Sequence, residues 1–542
     1  MNETINFIEK MFNRGFLVNE EIIKQELNLD LNSKIEDEQD LIVINQDYLE
    51  VIGVSDSLID WYALDRHRVD LEKERDSLVY QDNLTKLKSQ VLTKEPLATN
   101  TNTIINPISN LKPENHLTTL PHHTFQVEVL SSPTNTPRKF VVNDFSKIFL
   151  SRYRFLEGIL RNRQELGSPM TMNRLLSKQE RESVSVIGAI VEINETKAGN
   201  IIMTLEDPTG TMKVLVSKSK TNLFQNARDL VVDEIIGITG MNGDKIIFAD
   251  QILWPEVPMG KELKKSEKEE YAIFLSDFHV GSTLFMEEPF EKFLRWINGR
   301  VGNDLQRAIA EKIKYIFIAG DVVDGVGIYP SQEEELTIPD LKGQYSAFCN
   351  LIKKIPTNKN IIICPGNHDG VHLAEPQAAF LPEYSPELFE IPNVTLVSNP
   401  ALVNIGKTKT FSGFDVLLYH GYSFDYYVSN VESIRNNGGY HRADLIMKFL
   451  LRRRHLAPSF TSTPYFPGYD EDPMIIKKIP DFFLSGHIHY SNVANYRGVT
   501  LISGSCWQGK TSYQEKLGHE PEPGRVPIVN LKTREVKILR FM

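Results

Sequence analysis

The sequence predicts a multidomain protein in which a small β-barrel precedes a larger α/β domain. Residues 181–256 contain about five short apolar stretches separated by turn residues, the pattern of a small closed barrel. From Tyr271 onward, β-branched apolar stretches end one after another in short polar groups, as buried strands of an α/β fold do. The length of 542 residues allows roughly three or four domains of about 150 residues each.

Composition excludes several classes of protein. The chain is 41% hydrophobic and 24% charged, which is ordinary for a globular protein. No apolar run approaches the ~20 residues that span a bilayer and no amino-terminal signal region is visible, so we expect a cytoplasmic protein without membrane contact. The cysteines 349, 364 and 506 lie far apart, which disfavours disulfides and a thiolate zinc site. A net charge of −11 counts against a protein that binds nucleic acid unaided by cations or a basic partner.

The amino-terminal part divides into two predicted segments. Residues 1–75 are predicted to be helical, because apolar residues such as Phe7, Met11 and Leu17 recur at helix-like intervals. A plain helical bundle and an interaction module for another subunit are both open interpretations of this region. Residues 76–124 are predicted to be a flexible linker, since the stretch from Thr93 is rich in Thr, Asn and Pro and contains no aromatic residue.

Residues 125–260 are predicted to hold a short strand, a helix beginning near Asp144, and the barrel. The turn within Leu205–Gly210, "LEDPTG", and the strand spacing resemble the oligonucleotide-binding (OB) fold. Such barrels bind single strands or act as interaction domains, and both uses remain open. The charged run 261–270 is interpreted as a solvated boundary before a last domain, residues 261–542. The predicted barrel strands are Val184–Val191, Asn200–Leu205, Met212–Val216, Ile235–Gly240 and Lys245–Phe248.

Five groups of potential metal ligands follow five apolar strands of the last domain. Ligands at the carboxyl ends of buried strands meet at one edge of an α/β sheet, so we expect these groups to converge. Carboxylate, imidazole and amide ligands without thiolates favour Mn²⁺, Fe²⁺ or Zn²⁺. One such group alone is often structural, whereas five in order indicate a metal site. The groups are Asp277-Phe278-His279, Gly320-Asp321-Val322-Val323-Asp324, Asn367-His368-Asp369, His420-Gly421 and Gly486-His487-Ile488-His489.

The spacing within these groups suggests distinct roles. In an extended segment residues i and i+2 point the same way, so Asp277 with His279 is expected to converge on one cavity, and His487 with His489 likewise. Glycines 320, 366 and 486 allow the backbone to approach closely where a Cβ would not fit. Asn367 is expected to bind a metal and His368 to handle a proton.

Together, these motifs resemble the calcineurin-like metallophosphoesterase superfamily over about residues 271–510. The resemblance implies a two-sheet α/β sandwich, phosphoester hydrolysis and two divalent metal ions, Mn²⁺ first, with Mg²⁺, Fe²⁺ and Zn²⁺ as alternatives. It also implies that His368 acts as an acid or transition-state stabiliser and that Asp369 orients it. The implied ligands are Asp277, His279 and His489 for the first metal, Asn367, His420 and His487 for the second, and Asp321 as the bridge.

A narrower resemblance surrounds the motifs. "SDFHVGS", "GDVVDGVGIYPSQ", "YHGYSFD" and "PDFFLSGHIHY" resemble the small-subunit family of archaeal family D DNA polymerases, as does the order of the parts. That family implies a proofreading 3′→5′ exonuclease whose partners are a large catalytic polymerase subunit and primer-template DNA, with the sliding clamp as a further candidate. A stand-alone Mre-type repair nuclease and a catalytically silent scaffold subunit are the alternatives.

One basic run has no place in the metal motifs. Arg452, Arg453, Arg454 and His455 are interpreted either as a patch that faces nucleic-acid phosphate or another subunit, or as a solvated helix end whose cations favour the helix dipole. The sequence does not choose between these interpretations.

Overall fold

The computed structural model describes residues 17–18, 43–44, 127–134, 138–178, 180–517 and 520–542. Contacts divide the chain into two units, Met1–Leu117 and Thr118–Met542. In the first unit, the described residues form two short parallel strands, β1 (Leu17–Val18) and β2 (Val43–Ile44). The rest of the predicted helical region 1–75, and the whole predicted linker 76–124, lie outside the described residues.

The second unit contains both β-sheets and helices. Its strands are β3 (Val127–Ser131), β4 (Ser183–Glu195), β5 (Ile201–Asp207), β6 (Gly210–Val216), β7 (Ile235–Asn242), β8 (Ile246–Leu253), β9 (Tyr271–Leu275), β10 (Ile313–Ala319), β11 (Asn360–Cys364), β12 (Val394–Leu396), β13 (Ala401–Ile405), β14 (Phe414–Leu418), β15 (Phe482–Ser485), β16 (Asn492–Tyr496), β17 (Val499–Ser503), β18 (Arg525–Asn530) and β19 (Val536–Arg540). Its α-helices are α1 (Val142–Arg161), α2 (Met172–Leu176), α3 (Thr221–Arg228), α4 (Glu287–Ile297), α5 (Asp304–Lys312), α6 (Leu341–Ile352), α7 (Pro386–Glu390), α8 (Phe424–Asn430), α9 (Glu432–Asn436), α10 (Ala443–Arg453) and α11 (Ser512–Leu517). Within the described ranges, none of the helices combines the length and apolar character needed to cross a bilayer.

The carboxyl-terminal part is a sandwich of two six-stranded sheets. One sheet has the order β12-β11-β10-β9-β18-β19 and the other β16-β17-β15-β14-β13-β3. Strands β9 to β12 are parallel neighbours in the first sheet, and β14, β15 and β17 are parallel neighbours in the second. The buried rings of Phe274 and Phe482 meet between the sheets, with centroids 5.7 Å apart. The two-sheet sandwich that the resemblance implied is therefore present.

A closed five-stranded barrel of order β4-β5-β6-β8-β7 precedes the sandwich, as the sequence predicted. Alternating inward residues such as Met203, Leu205 and Val214 fill its own core. Strand β3, which the sequence grouped with the barrel in residues 125–260, instead pairs with β13 at the edge of the second sandwich sheet. The chain thus contributes a strand to the sandwich before it builds the barrel.

The carboxyl-terminal end of α10 is buried against the barrel. The guanidinium of Arg453 lies 2.6 Å from the Glu234 carboxylate, which also accepts a hydrogen bond from the indole of Trp254 at 3.0 Å. The neighbouring Arg452 places its guanidinium 3.6 Å from the Trp254 ring centroid. Because Arg453 is only 3% exposed, it cannot face nucleic-acid phosphate, another subunit or solvent. For this residue, the predictions of a binding patch and of a solvated helix end are therefore both wrong.

The next two residues of the basic run are also buried. Arg454 is 6% exposed and donates to the backbone carbonyls of Ile476 and Lys477. His455 is 1% exposed, and its Nε2 lies 2.9 Å from the Asp472 carboxylate. The prediction of a surface patch is wrong for these residues. Their partners lie at positions 472–477, and a run of basic residues does not by itself indicate such distant partners.

The charged boundary 261–270 packs partly against the sandwich. Lys261 and Lys264 each approach the buried Asp481 carboxylate, at 2.7 and 2.9 Å. The interpretation of the run as a solvated linker is therefore wrong for these two lysines. These ion pairs attach the segment that follows the barrel to the start of β15 in the second sheet.

We expect Arg453→Ala to lower the free energy of unfolding by about 3–5 kcal/mol, because it leaves the Glu234 carboxylate buried without its cation. Denaturant unfolding measures the change. Arg307→Ala is the control, since Arg307 pairs with the exposed Asp304. This variant should lower the free energy of unfolding by less than about 1 kcal/mol. Equal stability of the two variants would contradict the prediction.

Candidate metal centre

The candidate ligands lie where the parallel strands of the two sheets end. Asp277 and His279 follow β9, Asp321 follows β10, and Asn367 and His368 follow β11, all in the first sheet. The ligands from the second sheet come from the loops after its two adjacent parallel strands, β14 and β15; these are His420, His487 and His489. The structure brings the side chains of both sheets to one cluster, as the strand-end argument predicted.

The first group of potential ligands comprises Asp277, His279 and His489, whose ligand atoms all lie within 4.8 Å of one another. The Nε2 atoms of His279 and His489 are 2.9 Å apart, and Nε2 of His489 is 3.5 Å from the Asp277 carboxylate. All three residues are buried. Two imidazole nitrogens that face each other beside a carboxylate form a set of donors suited to a divalent cation.

Asp321 is shared between a second and a third group. It clusters with His420 and His487, and also with His279 and His368. One of its oxygens, Oδ2, lies 3.2 Å from Nε2 of His420 and 3.8 Å from Nε2 of His279. This position between the two sides fits the bridging role that the resemblance implied.

Hydrogen bonds fix which nitrogen of His420 carries a proton. Its Nδ1 lies 2.7 Å from the carbonyl oxygen of Ala319, which can only accept, so Nδ1 donates. In the neutral ring, the lone pair is then on Nε2, which faces the carboxylate of Asp321 and, at 2.9 Å, Oδ1 of Asn367. Three acceptors therefore converge on one point, and a cation at that point would satisfy all three.

The pKa shifts in the cluster also favour a bound cation. Burial alone would lower the pKa of His420, but the adjacent Asp321 carboxylate overrides it and raises the pKa to about 10. Burial opposes ionisation of Asp321, yet the charge of His420 holds the pKa of this carboxyl well below its ordinary value. The cluster thus attracts positive charge strongly, and a divalent metal would displace the proton. The residues present fit a metal centre.

The backbone of the cluster is unusual. Five candidate ligands have left-handed φ angles between 50° and 71°, namely Asp277, His279, Asp321, His487 and His489. Such angles are uncommon for non-glycine residues, and they gather at functional sites. Asp277 and His279 converge as predicted, but by left-handed turns beyond the strand rather than by extended alternation. His487 and His489 belong to different ligand groups of the same cluster.

The chain is similar to known proteins over most of its length. Residues 272–491 match the calcineurin-like phosphoesterase family. The DNA polymerase II small subunit of Methanothermobacter thermautotrophicus is 36% identical over 420 residues, which cover 77% of this chain and 83% of the relative. The chain belongs to the DNA polymerase II small-subunit family.

Other relatives agree. The DNA polymerase II small subunit of Archaeoglobus fulgidus is 39% identical over 74% of this chain and 77% of its own, and that of Pyrococcus furiosus is 35% identical over 74% and 64%. A solved structure described as a novel archaeal phosphodiesterase covers 50% of this chain and 99% of its own, at 14% identity and a TM-score of 0.24, which is too low to support an argument.

The structure corrects the expected role of Asp369. Its buried carboxylate accepts from the backbone N–H of Gly366 at 2.8 Å and from the Tyr345 hydroxyl at 3.3 Å, so it supports the loop rather than the His368 ring. Burial, reinforced by the Asp321 charge, raises the pKa of Asp369 to about 7. The His368 ring is oriented instead by the carbonyl oxygen of Asp324, 2.7 Å from Nδ1.

Sequence reasoning missed three side chains that hold the histidines of the cluster. The Asp324 carboxylate lies 3.2 Å from Nδ1 of His279 and accepts from Gln508 at 2.8 Å. Asp425 lies 3.0 Å from Nε2 of His487, and Gln514 lies 3.0 Å from Nδ1 of His489. Asp324 stood inside a recognised motif and could have been singled out, whereas Asp425 and Gln514 carried no spacing signal.

The three predicted close approaches of glycine are confirmed. A Cβ built on Gly366 would lie 2.2 Å from Oδ1 of Asp321, one on Gly486 would lie 2.6 Å from Oδ2 of Asp277, and one on Gly320 would lie 2.5 Å from Nδ1 of His420. The backbone of these loops therefore packs directly against the candidate ligands.

We expect Gly366→Ala to weaken metal binding by more than about tenfold, because the new methyl group displaces the Asp321 carboxylate. Isothermal titration with Mn²⁺ measures the affinity. Gly158→Ala is the control: in α1, this Cβ would meet nothing within 4 Å, and the change should leave Mn²⁺ affinity intact. Equal affinities in the two variants would contradict the prediction.

Proposed function

We propose that this chain is the proofreading 3′→5′ exonuclease subunit of a replicative DNA polymerase and that it hydrolyses 3′-terminal phosphodiester bonds with two divalent metals. The observation that carries the proposal is the complete ligand set, gathered with His368 into one cluster at the strand ends. Membership of the DNA polymerase II small-subunit family supplies the polymerase context.

We propose that the ligands of the first metal are Asp277, His279 and His489, that those of the second are Asn367, His420 and His487, and that Asp321 binds both. When bound, divalent cations activate water and neutralise charge on the phosphoryl oxygens. Mn²⁺ is the first candidate, since the donors are carboxylate, imidazole and amide groups.

The chain's own residues position and protonate the substrate. The His368 ring is fixed by its Nδ1–H, which donates to the carbonyl oxygen of Asp324 at 2.7 Å. In its charged, imidazolium form the ring carries a second proton on Nε2, and this proton passes to the leaving 3′ oxygen and leaves the ring neutral. The backbone N–H of His368 donates to Oδ1 of Asp321 at 2.8 Å, so the proton-transfer group and the shared carboxylate keep a fixed relation.

We propose that the barrel is of the OB type. Its order β4-β5-β6-β8-β7, the parallel pairing of β6 with β8, and helix α3 between β6 and β7 support this. The buried Arg453–Glu234 pair ties the barrel to the sandwich, which suits a fixed platform beside the nuclease site.

The proposed partners are a large catalytic polymerase subunit and primer-template DNA, with the sliding clamp as a further candidate. The relatives' name, small subunit, supports the first of these. The net charge of −11 also favours a subunit that relies on its partner to hold duplex DNA.

Two alternatives are less well supported. A stand-alone Mre-type repair nuclease would share the ligand motifs but would not be expected to carry the barrel. A silent scaffold subunit would have no need to retain every ligand in a buried cluster with left-handed backbone.

One experiment tests the proposal. The purified chain, with and without its co-purifying partner, is given a primer with a 3′ mismatch and, separately, a small aryl phosphate, both with Mn²⁺. We expect release of mononucleotides from the 3′ end. Turnover of the aryl phosphate alone would overturn the nuclease assignment, and turnover of neither substrate would favour the scaffold.

A further inference from the structure

Two tyrosine rings flank the candidate metal centre, one beside each ligand group. The ring of Tyr329 lies 6.3 Å from that of His368, which in turn is 4.6 Å from His279 of the first group. The ring of Tyr422 lies 5.7 Å from that of His487, which is 5.2 Å from His420 of the second group. Both tyrosines are half-buried.

We propose that Tyr329 and Tyr422 form two nucleoside subsites, in which each ring stacks on one of the two bases that flank the scissile phosphate. This inference rests on the proposed function, because it requires a phosphodiester that joins two nucleosides. A phosphate placed over the cluster has one nucleoside on each side. The two rings lie beside the two ligand groups that would hold that phosphate.

The surroundings of Tyr329 favour a base over a phosphate. Its hydroxyl donates to the Glu335 carboxylate at 2.9 Å, which holds the ring in place. The exposed Glu333 and Glu334 lie close by in sequence and repel phosphate. The group beside His368 on this side of the centre is an aromatic ring, and aromatic rings stack on every base without regard to sequence.

Tyr422 is held by a rigid turn between β14 and α8. Gly421 takes a φ of 118°, and the carbonyl oxygen of Gly421 accepts from the backbone N–H of Phe424 at 2.8 Å. The next residue, Ser423, is buried and donates to the carbonyl oxygen of Leu456 at 2.8 Å. These contacts fix the backbone on both sides of Tyr422, so that less entropy is lost when a base stacks on its ring, which suits a subsite.

The test uses Tyr329→Ala and Tyr422→Ala in the full chain, with oligonucleotides whose terminal or penultimate 3′ nucleotide is abasic. For each variant, the ratio of kcat/KM on the base-bearing strand to kcat/KM on one abasic strand should fall roughly 10- to 100-fold. The abasic position that removes a variant's defect identifies the base that its tyrosine contacts. Tyr329→Phe and Tyr422→Phe keep the aromatic ring, so they should lower this ratio of kcat/KM values less than the Ala variants do.

Tyr496→Ala is the matched control, because Tyr496 is also half-buried and its hydroxyl donates to a glutamate, Glu256, at 2.8 Å. Its base-bearing to abasic ratio should equal that of the wild type. A ratio that stays at the wild-type value in both tyrosine variants would overturn the subsites. Failure of the wild type to release any 3′ nucleotide would instead overturn the proposed function.

A binding measurement without turnover completes the test. With metals removed by a chelator, a strand that ends in 2-aminopurine should lose fluorescence on binding to the wild type, since stacking quenches this base. One Ala variant should restore the fluorescence of a terminal 2-aminopurine and the other that of a penultimate one. Wild-type quenching in both variants would contradict the proposal even if activity falls.

Discussion

Asp321→Ala is expected to remove bound metal and hydrolytic activity together. One oxygen of Asp321 lies 3.2 Å from Nε2 of His420 and 3.8 Å from Nε2 of His279, so its loss opens both sides of the centre. The other oxygen accepts a hydrogen bond from the backbone N–H of His368 at 2.8 Å, so the loop that carries His368 loses this anchor as well. Since even outer partners of a metal typically contribute about 10–100-fold, we expect activity to fall by more than about 100-fold.

Metal content by inductively coupled plasma mass spectrometry and 3′ nucleotide release measure this effect in the same preparation. Asp321→Asn is the informative companion, because it keeps the shape of the side chain but removes its charge. We expect it to bind metal weakly and regain part of its activity at high Mn²⁺. Full metal content in Asp321→Ala would exclude the bridging role, whatever the activity.

The strand ends could be predicted because two local signals agree there. Apolar runs such as Ile361–Cys364 predict buried strands, and polar groups that begin directly after them predict a site at the sheet edge. The structure places this run in β11, between β10 and β12, with Asn367 and His368 directly beyond it. The barrel was predictable for the same reason, since alternation and turn residues are local properties.

The contacts between distant parts could not be predicted in this way. Arg453 looked like an exposed charge because its partner, Glu234, is 219 residues away and belongs to the barrel. Strand β3 looked like part of the barrel because it precedes it in the chain, yet its pairing partner is β13. Charge runs and chain order carry no record of such long-range pairings.

Backbone conformation set a second limit on prediction. The i and i+2 argument assumed extended chain, but Asp277 and His279 have φ angles of 53° and 54°. Left-handed backbone at non-glycine residues has no simple sequence signature, so the division of His487 and His489 between two groups could not be foreseen from spacing. The role of Asp369 failed likewise, because adjacency to His368 in sequence does not imply contact between side chains.

His368→Ala is expected to separate metal binding from turnover. The hydrogen bond from residue 368 to Asp321 comes from the backbone N–H, so alanine retains it and the shared carboxylate stays in place. What is lost is the imidazole, whose Nδ1 is anchored to the carbonyl oxygen of Asp324. Since a positioned acid or base typically contributes about 10²–10⁴-fold, we expect kcat to fall by that factor at unchanged metal content.

His372→Ala is the matched control, because His372 also places its Nδ1 2.7 Å from a backbone carbonyl, that of Ala374, in the same loop. It should keep near-wild-type turnover. Wild-type kcat in His368→Ala at saturating Mn²⁺ would refute the proton-transfer role. Loss of metal from His368→Ala would instead make His368 a ligand, consistent with its position within 4.8 Å of donors from His279 and Asp321. The ratio of metal content to kcat in this variant therefore distinguishes the binder from the proton donor.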